Sequence, residues 1–169
     1  MEYNIRALIN GDDSIVWKML MYASHESLLE TVQKQPQLSR YAIDWGRMGD
    51  MGFVAWFDEQ FIGAAWLRFW SGDDKGFGYV NDSIPELAMA VLPEYRGQGI
   101  GTKLLMQVLQ SVQNTYPAVS LNVRANNRVI NLYQRTGFVK VEGSEVVNRT
   151  GGISFNMIRR FSSTSDRSR

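Results

Sequence analysis

Arg96-Gly97-Gln98-Gly99-Ile100-Gly101-Thr102 reads RGQGIGT, three glycines separated by single residues directly ahead of an amphipathic stretch. Ile100, Leu104, Leu105, Val108, Leu109 and Val112 recur at helical spacing, so the spacing predicts a helix from Gly99 to about Asn114. Without a Cβ, a glycine backbone can turn tightly and let anionic oxygens approach its amides. The first turn of a helix leaves its amides unpaired and carries roughly +0.5 of an elementary charge. A pyrophosphate fits such a place, and Arg96 adds a cation for the same phosphates. A glycine-rich strand-to-helix turn that binds nothing is the bland alternative, and the loop alone leaves both readings open.

Two familiar phosphate loops fail on spacing. A Walker A loop needs Gly-Lys-Ser/Thr after four intervening residues, but here Thr102 precedes Lys103. A dinucleotide G-x-G-x-x-G needs glycine at position 102, which is threonine. Upstream of the loop, Glu86–Val91 is a compact strand ahead of Pro93. Downstream, Val119–Val123 is a strand, and Asn126–Thr136 is a short helix closed by Gly137 as a left-handed cap. Val139–Val147 and Ile153–Phe161 flank Asn148–Gly152 as a terminal hairpin.

Towards the N-terminus, Tyr3–Ile9 alternates as a strand. Asp12, Asp13 or Ser14 can cap a helix carrying Ile15, Met19, Leu20 and Ala23. A second helical stretch covers Glu26–Lys34, and Pro36–Gly49 is irregular or briefly helical. Gly52–Phe57 and Phe61–Trp70 form two strands around the turn Asp58-Glu59-Gln60, followed by a Gly- and Asp-rich loop at Ser71–Ser83. The order β-α-α-β-β-β-α-β-α-β-β is an α/β layout on one mixed sheet. The expected organisation is a single domain over residues 1–161 and a disordered polar tail over residues 162–169.

Composition narrows the chemistry. The 169 residues fit one domain with a sizeable core, and 44% hydrophobic against 21% charged residues is an ordinary globular mix. A net charge of +1 gives no global argument for nucleic acid or an anionic membrane surface. With no cysteine and a single histidine, His25, disulfides, thiolate metal sites and a cysteine nucleophile are excluded. Neither a metal nor a His-based triad is expected. No apolar run approaches the roughly 20 residues of a membrane helix. The expected setting is cytoplasmic.

The segment R-x-x-G-x-G after a strand resembles motif A of the GNAT superfamily of N-acetyltransferases. SLNVRANNRVINLYQRTGF, at Ser120–Phe138, is similar to its motif B: a strand, an Asn-led turn, and a helix with Leu-Tyr that ends in Gly-Phe. The resemblance runs in order and spacing from about Glu86 to Phe138, and the strand-helix-helix opening of the chain agrees with it. It implies a single-domain fold with a mixed, mostly antiparallel sheet, splayed between its fourth and fifth strands and flanked by helices. It also implies acetyl-CoA as co-substrate, with no metal and no covalent enzyme intermediate.

By the same resemblance, the backbone of Met89, Ala90 and Val91 holds the pantetheine arm, and an amide near Val91 polarises the thioester carbonyl. The amides of Arg96, Gly97, Gln98, Gly99, Ile100, Gly101 and Thr102 hold the pyrophosphate. Asn127 matches the asparagine that contacts the pantetheine arm, beside its plainer reading as a helix N-cap. Tyr133 matches a tyrosine near the thioester sulfur that acts as general acid, beside its plainer reading as a core tyrosine with Val129 and Leu132. Glu86 is the candidate base. If Phe61–Trp70 pairs antiparallel with Glu86–Val91, Arg68 falls near Glu86 and makes it a poorer base, or holds an acidic group of the acceptor.

The acceptor is a small-molecule amine or a peptide amine, recognised in the family through the first two helices and the terminal hairpin loop. Here those are Met21–Glu26, with His25, and Asn148–Gly152. Asp73, Asp74 and Asp82 read foremost as solvated loop charges, and Trp56, Trp66 and Trp70 as sheet packing. Homodimers are common in the family. Two rivals stay open: a regulatory domain that holds acetyl-CoA without turnover, and a transferase for another acyl-CoA.

Overall fold

The computed structural model describes residues 1–162, so the tail read as disordered lies outside the described residues beyond Ser162. The strands are β1 (Asn4–Ala7), β2 (Met51–Phe57), β3 (Gln60–Arg68), β4 (Glu86–Val91), β5 (Ala118–Arg124), β6 (Val139–Lys140), β7 (Val146–Val147) and β8 (Ile153–Arg160). The helices are α1 (Asp13–Ala23), α2 (Leu29–Lys34), α3 (Pro36–Ser39), α4 (Ile100–Val112) and α5 (Ile130–Arg135), with a 3₁₀ turn at Pro93–Tyr95. The sheet has eight strands in the order β1-β2-β3-β4-β5-β8-β6, and β7 also pairs with β8. β4 and β5 run parallel, paired through Glu86↔Ser120. This is the mixed, mostly antiparallel α/β sheet expected from the sequence. Among the described residues no helix is long and apolar enough to cross a membrane.

The chain forms two compact units. One comprises Met1–Phe69 with Leu87–Gln110, the other Trp70–Glu86 with the described residues from Ser111 to Ser162.

In the first unit, α1 buries Ile15, Val16, Met19 and Leu20, one stripe of the helix, and packs on β3. Asp12 precedes α1 but does not cap it with its side chain. Its carboxylate instead takes two bonds from Arg6 and one from the Ile9 amide, fixing the corner between β1 and α1. β2 and β3 meet in a two-residue turn, with Phe57 paired to Gln60 and both Asp58 and Glu59 at positive φ, 52° and 64° respectively. The expected three-residue turn is thus one residue too long. Two left-handed residues give the backbone twist that matches the flanking strands, and Gln60 is released into β3.

Arg68 is buried in this unit and finds its carboxylate in Asp50, with Nε–Oδ1 at 3.0 Å and Nη2–Oδ2 at 2.8 Å. Its Nη1 donates to the carbonyls of Arg40 and Ile43, both at 2.7 Å. A guanidinium in an apolar strand needs this full complement of acceptors, because a buried charge left short of partners is strongly destabilising. Arg40, Ile43 and Asp50 supply them as the chain folds back on β3, all but Asp50 within Pro36–Gly49, the stretch expected to be irregular or briefly helical.

In the second unit, β5 pairs with β8 along its whole length, from Ala118↔Arg160 to Arg124↔Ser154. Ile84, Ala118 and Ile158 form a core cluster to which Val80 and Val141 add their side chains. The first arm of the terminal hairpin is broken into β6 and β7. Between them Ser144 donates its hydroxyl to the Val141 carbonyl and accepts the Asn156 amide, replacing ladder bonds. The helix expected from Asn126 begins only at Ile130. Ahead of it, Asn127 Oδ1 accepts the Val129 amide at 3.0 Å in a local turn. Gly137 follows α5 at φ 97°, the left-handed position expected for it.

Candidate active site

The first group of expected site residues lies in the first unit, where β4 runs out into the glycine loop. Leu92 donates its amide to the Ile62 carbonyl at 2.8 Å, which ties the end of β4 to β3. The 3₁₀ turn that follows is held on the β2–β3 hairpin: Gln60 Nε2 donates to the Tyr95 hydroxyl, and the Phe57 and Tyr95 rings meet edge-on at 6.0 Å. Arg96 then turns back and donates Nε to the Val91 carbonyl at 2.9 Å. The guanidinium is exposed and keeps four further N–H donors beyond that bond.

Gly97 and Gly99 take φ values of 76° and 85°, the left-handed region that glycine enters without strain. A Cβ built on either meets no atom within 4 Å, so the loop faces open space at both glycines. Lys103 donates to Gly99 at 3.1 Å, closing the first turn of α4. The amides of Ile100, Gly101 and Thr102 therefore precede the first intrahelical bond, where helix amides have no carbonyl four residues back. Ile100, Leu104, Leu105, Val108 and Leu109 are buried and anchor the helix whose N-terminus this is. An open, amide-lined, positively polarised helix start with an arginine beside it suits a doubly charged phosphate group. Met89, Ala90 and Val91 stand on β4 just before it, with Ala90 buried and the other two half-buried.

The second group lies in the second unit. Tyr133 sits on α5 with only 7% of its surface exposed, and its ring lies 5.6 Å from that of Phe138. Burial pushes its phenol well above the usual tyrosine value, so the side chain is a neutral proton donor across the physiological range. Asn127 uses its side-chain oxygen in the turn before α5, which leaves the amide hydrogens as its remaining donors.

Glu86 is buried, 3% exposed, at the start of β4. Its Oε1 accepts the Trp70 indole N–H at 2.9 Å and the Gly78 amide at 3.0 Å. The Ser120 hydroxyl donates to the Gly78 carbonyl at 2.7 Å. The structure thus groups Glu86 with Trp70, Gly78 and Ser120, three residues that sequence reasoning did not connect with it. From sequence, Trp70 reads as packing and Gly78 falls within the Gly- and Asp-rich loop, and no spacing marks either as a partner of a carboxylate. Trp66, by contrast, is the packing residue expected, its indole donating to the Tyr41 carbonyl. Trp56 stacks under Arg6 and edge-on to Phe61.

Of the segments expected to meet the acceptor, His25 ends the turn after α1 at φ 58° and is exposed. The Asn148–Gly152 turn is organised by Asn148, whose Oδ1 accepts the amides of Thr150 and Gly152. Asp82 accepts the Tyr79 hydroxyl on the exposed loop.

Comparison with known proteins identifies the family of the chain. The model of the acetyltransferase (GNAT) family matches residues 17–138. An N-alpha-acetyltransferase of Sulfurisphaera tokodaii is 42% identical over 100 residues, covering 53% of this chain and 57% of that protein. One of Saccharolobus solfataricus is 35% identical over 100 residues with the same coverage, 53% and 57%. The match therefore spans little more than half the length of these curated relatives. The yncA protein of Salmonella typhimurium, solved with its cofactor acetyl-CoA, superposes with a TM-score of 0.72 at 18% identity over 96% of each chain. The ribosomal-protein-S18-alanine N-acetyltransferase of Escherichia coli gives 0.69 at 18% identity, again over 96% of each chain. At such identities the likeness is one of fold. The family model, however, covers well over half of the sequence and includes both the glycine loop and the Tyr133 helix: the chain belongs to the GNAT family of acetyltransferases.

Proposed function

We propose that this protein transfers an acetyl group from acetyl-CoA to a primary amine by direct attack of the amine on the thioester. The observation that carries the reading is the loop at Arg96–Thr102, with its two left-handed glycines open to solvent ahead of the N-terminus of α4. In this reading the amides from Arg96 to Thr102 hold the pyrophosphate, and the Arg96 guanidinium neutralises it. Backbone groups of Met89, Ala90 and Val91 hold the pantetheine arm, and an amide near Val91 donates to the thioester carbonyl as negative charge develops there. The side-chain amide of Asn127 contacts the same arm.

Tyr133 protonates the departing CoA thiolate. The support for this role is the match of Tyr133 to the tyrosine of the family's motif B helix; burial holds the phenol neutral at rest. A domain that only held acetyl-CoA would have no use for such a phenol.

The two curated relatives are N-alpha-acetyltransferases, and this favours the α-amino group of a peptide as the acceptor. The acid–base arithmetic points the same way. An α-amine has a pKa of about 7.7–8.0, so roughly a third is already neutral at pH 7.5, against about one part in a thousand of a lysine ε-amine. An α-amine acceptor therefore makes little demand on an enzymic base.

The test is free-CoA release measured against peptides with free and blocked N-termini, lysine side chains, polyamines, aminoglycosides and free amino acids, beside calorimetric titration with acetyl-CoA. Turnover is expected for peptides with a free α-amine and is lost when that amine is blocked. Absence of any acetyl-CoA binding overturns the reading, and preference for an ε-amine or a polyamine overturns the acceptor assignment.

A further inference from the structure

We propose that Glu86 is a positioning residue whose buried carboxylate latches the Ser71–Ser83 loop onto the start of β5. The latch grips one residue of that loop, Gly78, at both of its backbone groups. Its N–H goes to Glu86 Oε1 at 3.0 Å, and its carbonyl receives the Ser120 hydroxyl at 2.7 Å. Trp70, where the chain leaves for the loop, donates its indole N–H to the same Oε1 at 2.9 Å. Glu86 and Ser120 stand opposite one another in the parallel pair, so the two gripping side chains are fixed by the sheet itself.

The fit admits only glycine. A Cβ on residue 78 would lie 2.8 Å from Glu86 Cδ and 2.8 Å from the Leu121 carbonyl carbon. Glu86, Trp70 and Ser120 are all nearly inaccessible, at 3%, 2% and 0% exposure. A carboxylate taken out of water is tolerated where N–H donors replace the lost hydration, and here two of them converge on one oxygen.

The loop so fixed lies on a definite face of the sheet. Strand alternation puts Asn122 on the same face of β5 as Ser120, and Asn122 Nδ2 donates across to Asn156 Oδ1 on β8 at 2.9 Å. The latch therefore places the loop at one end of a polar strip made of the buried Ser120 and the half-buried Asn122 and Asn156. Ahead of Gly78 the loop carries the exposed Asp73 and Phe77. We assign it as a wall for the acceptor, held in place by Glu86. This assignment to the acceptor rests on the acetyltransferase reading, whereas the latch does not.

Hydrogen exchange on the protein without substrates tests the latch directly. Glu86→Gln retains a side-chain oxygen able to accept both N–H bonds, so loop protection stays within about threefold of the parent; Glu86→Ala and Gly78→Ala should exchange about tenfold faster or more around Gly78, with β5 beyond Leu121 unchanged. In kinetics, Glu86→Ala and Gly78→Ala should raise KM for the amine about fivefold or more while KM for acetyl-CoA moves less than about twofold. Parent-like loop protection in Glu86→Ala overturns the latch. Collapse of kcat in Glu86→Gln with protection intact also overturns the proposal, because it marks the carboxylate as a base. If Glu86→Ala does not fold, Ser120→Ala, which removes only the second grip, carries the same exchange test. If the parent turns over no amine, the acetyltransferase reading fails, and the exchange data still decide the latch.

Discussion

Tyr133 and Glu86 are both buried ionisable side chains, yet their surroundings fit them for different work. Tyr133 has an aromatic neighbour in Phe138 and is held neutral by burial. Glu86 has two N–H donors on one oxygen. The first arrangement keeps a phenol neutral with its proton in place, the second holds a backbone still. Tyr133→Phe keeps the ring and its packing against Phe138 while removing the proton donor. It should lower kcat about 10²–10⁴-fold, the range of general acid catalysis, with KM for acetyl-CoA nearly unchanged. Steady-state kinetics on the best acceptor checks this, and a kcat within about twofold of the parent rules Tyr133 out as the acid. Residue identity was legible in the sequence where a motif carried it, as for Tyr133 and Asn127. Partnership was not. Arg68 stood out as a charge in an apolar strand, but Asp50 reaches it only because the intervening segment folds back, and periodicity does not encode that.

At the scale of elements, the glycine loop and the β2–β3 turn use left-handed backbone in opposite ways. Gly97 and Gly99 are free of strain and face open space. Alanine at Gly99 brings a conformational penalty of about 1–2 kcal/mol and a methyl group on the open face. Gly99→Ala should therefore fold with a modestly lower Tm and weaken acetyl-CoA binding about tenfold or more, as calorimetry would show, if that face holds phosphate. Unchanged acetyl-CoA affinity would mean that the phosphates lie elsewhere.

Asp58 and Glu59, by contrast, hold left-handed conformations with side chains that resist them. Glu59→Gly supplies the residue such a turn prefers and should raise stability by about 0.5–1 kcal/mol in denaturant unfolding, after the entropy that glycine adds to the unfolded chain. The same element scale shows what sequence reading could resolve. β4 has the bounds expected, Glu86–Val91, and the apolar spacing located α4 to within two residues at its C-terminal end. The start of α5 and the split between β6 and β7 escaped it, because side-chain oxygens of Asn127 and Ser144 take over backbone bonds that propensity assigns to regular structure.

For the whole molecule, two of the groups with perturbed pKa values, Asp12 and Tyr133, act at opposite ends of the pH scale. Asp12 is held below the usual carboxylate value by its hydrogen bonds from Arg6, against the opposing effect of burial, with the Ile9 amide adding to the lowering. Its folded-state value is depressed, so its contribution to stability is present above the unfolded value near 4 and is lost as pH falls through the folded one. Arg6 is substantially exposed, so solvent screens the pair and this acid flank should be shallow. Tyr133 is raised by burial, so the opposite sign applies. Its contribution is complete below the unfolded value near 10; above it the unfolded chain releases a proton that the folded chain keeps, and stability falls by about 1.4 kcal/mol per pH unit. Stability should therefore hold a plateau from about pH 5 to 9.5, with a gentle acid flank and a steep alkaline one. Denaturant unfolding across pH checks both. Asp12→Asn should flatten the acid flank alone, and Tyr133→Phe the alkaline flank alone. An alkaline slope that survives in Tyr133→Phe would show that another group, not the buried phenol, governs unfolding there.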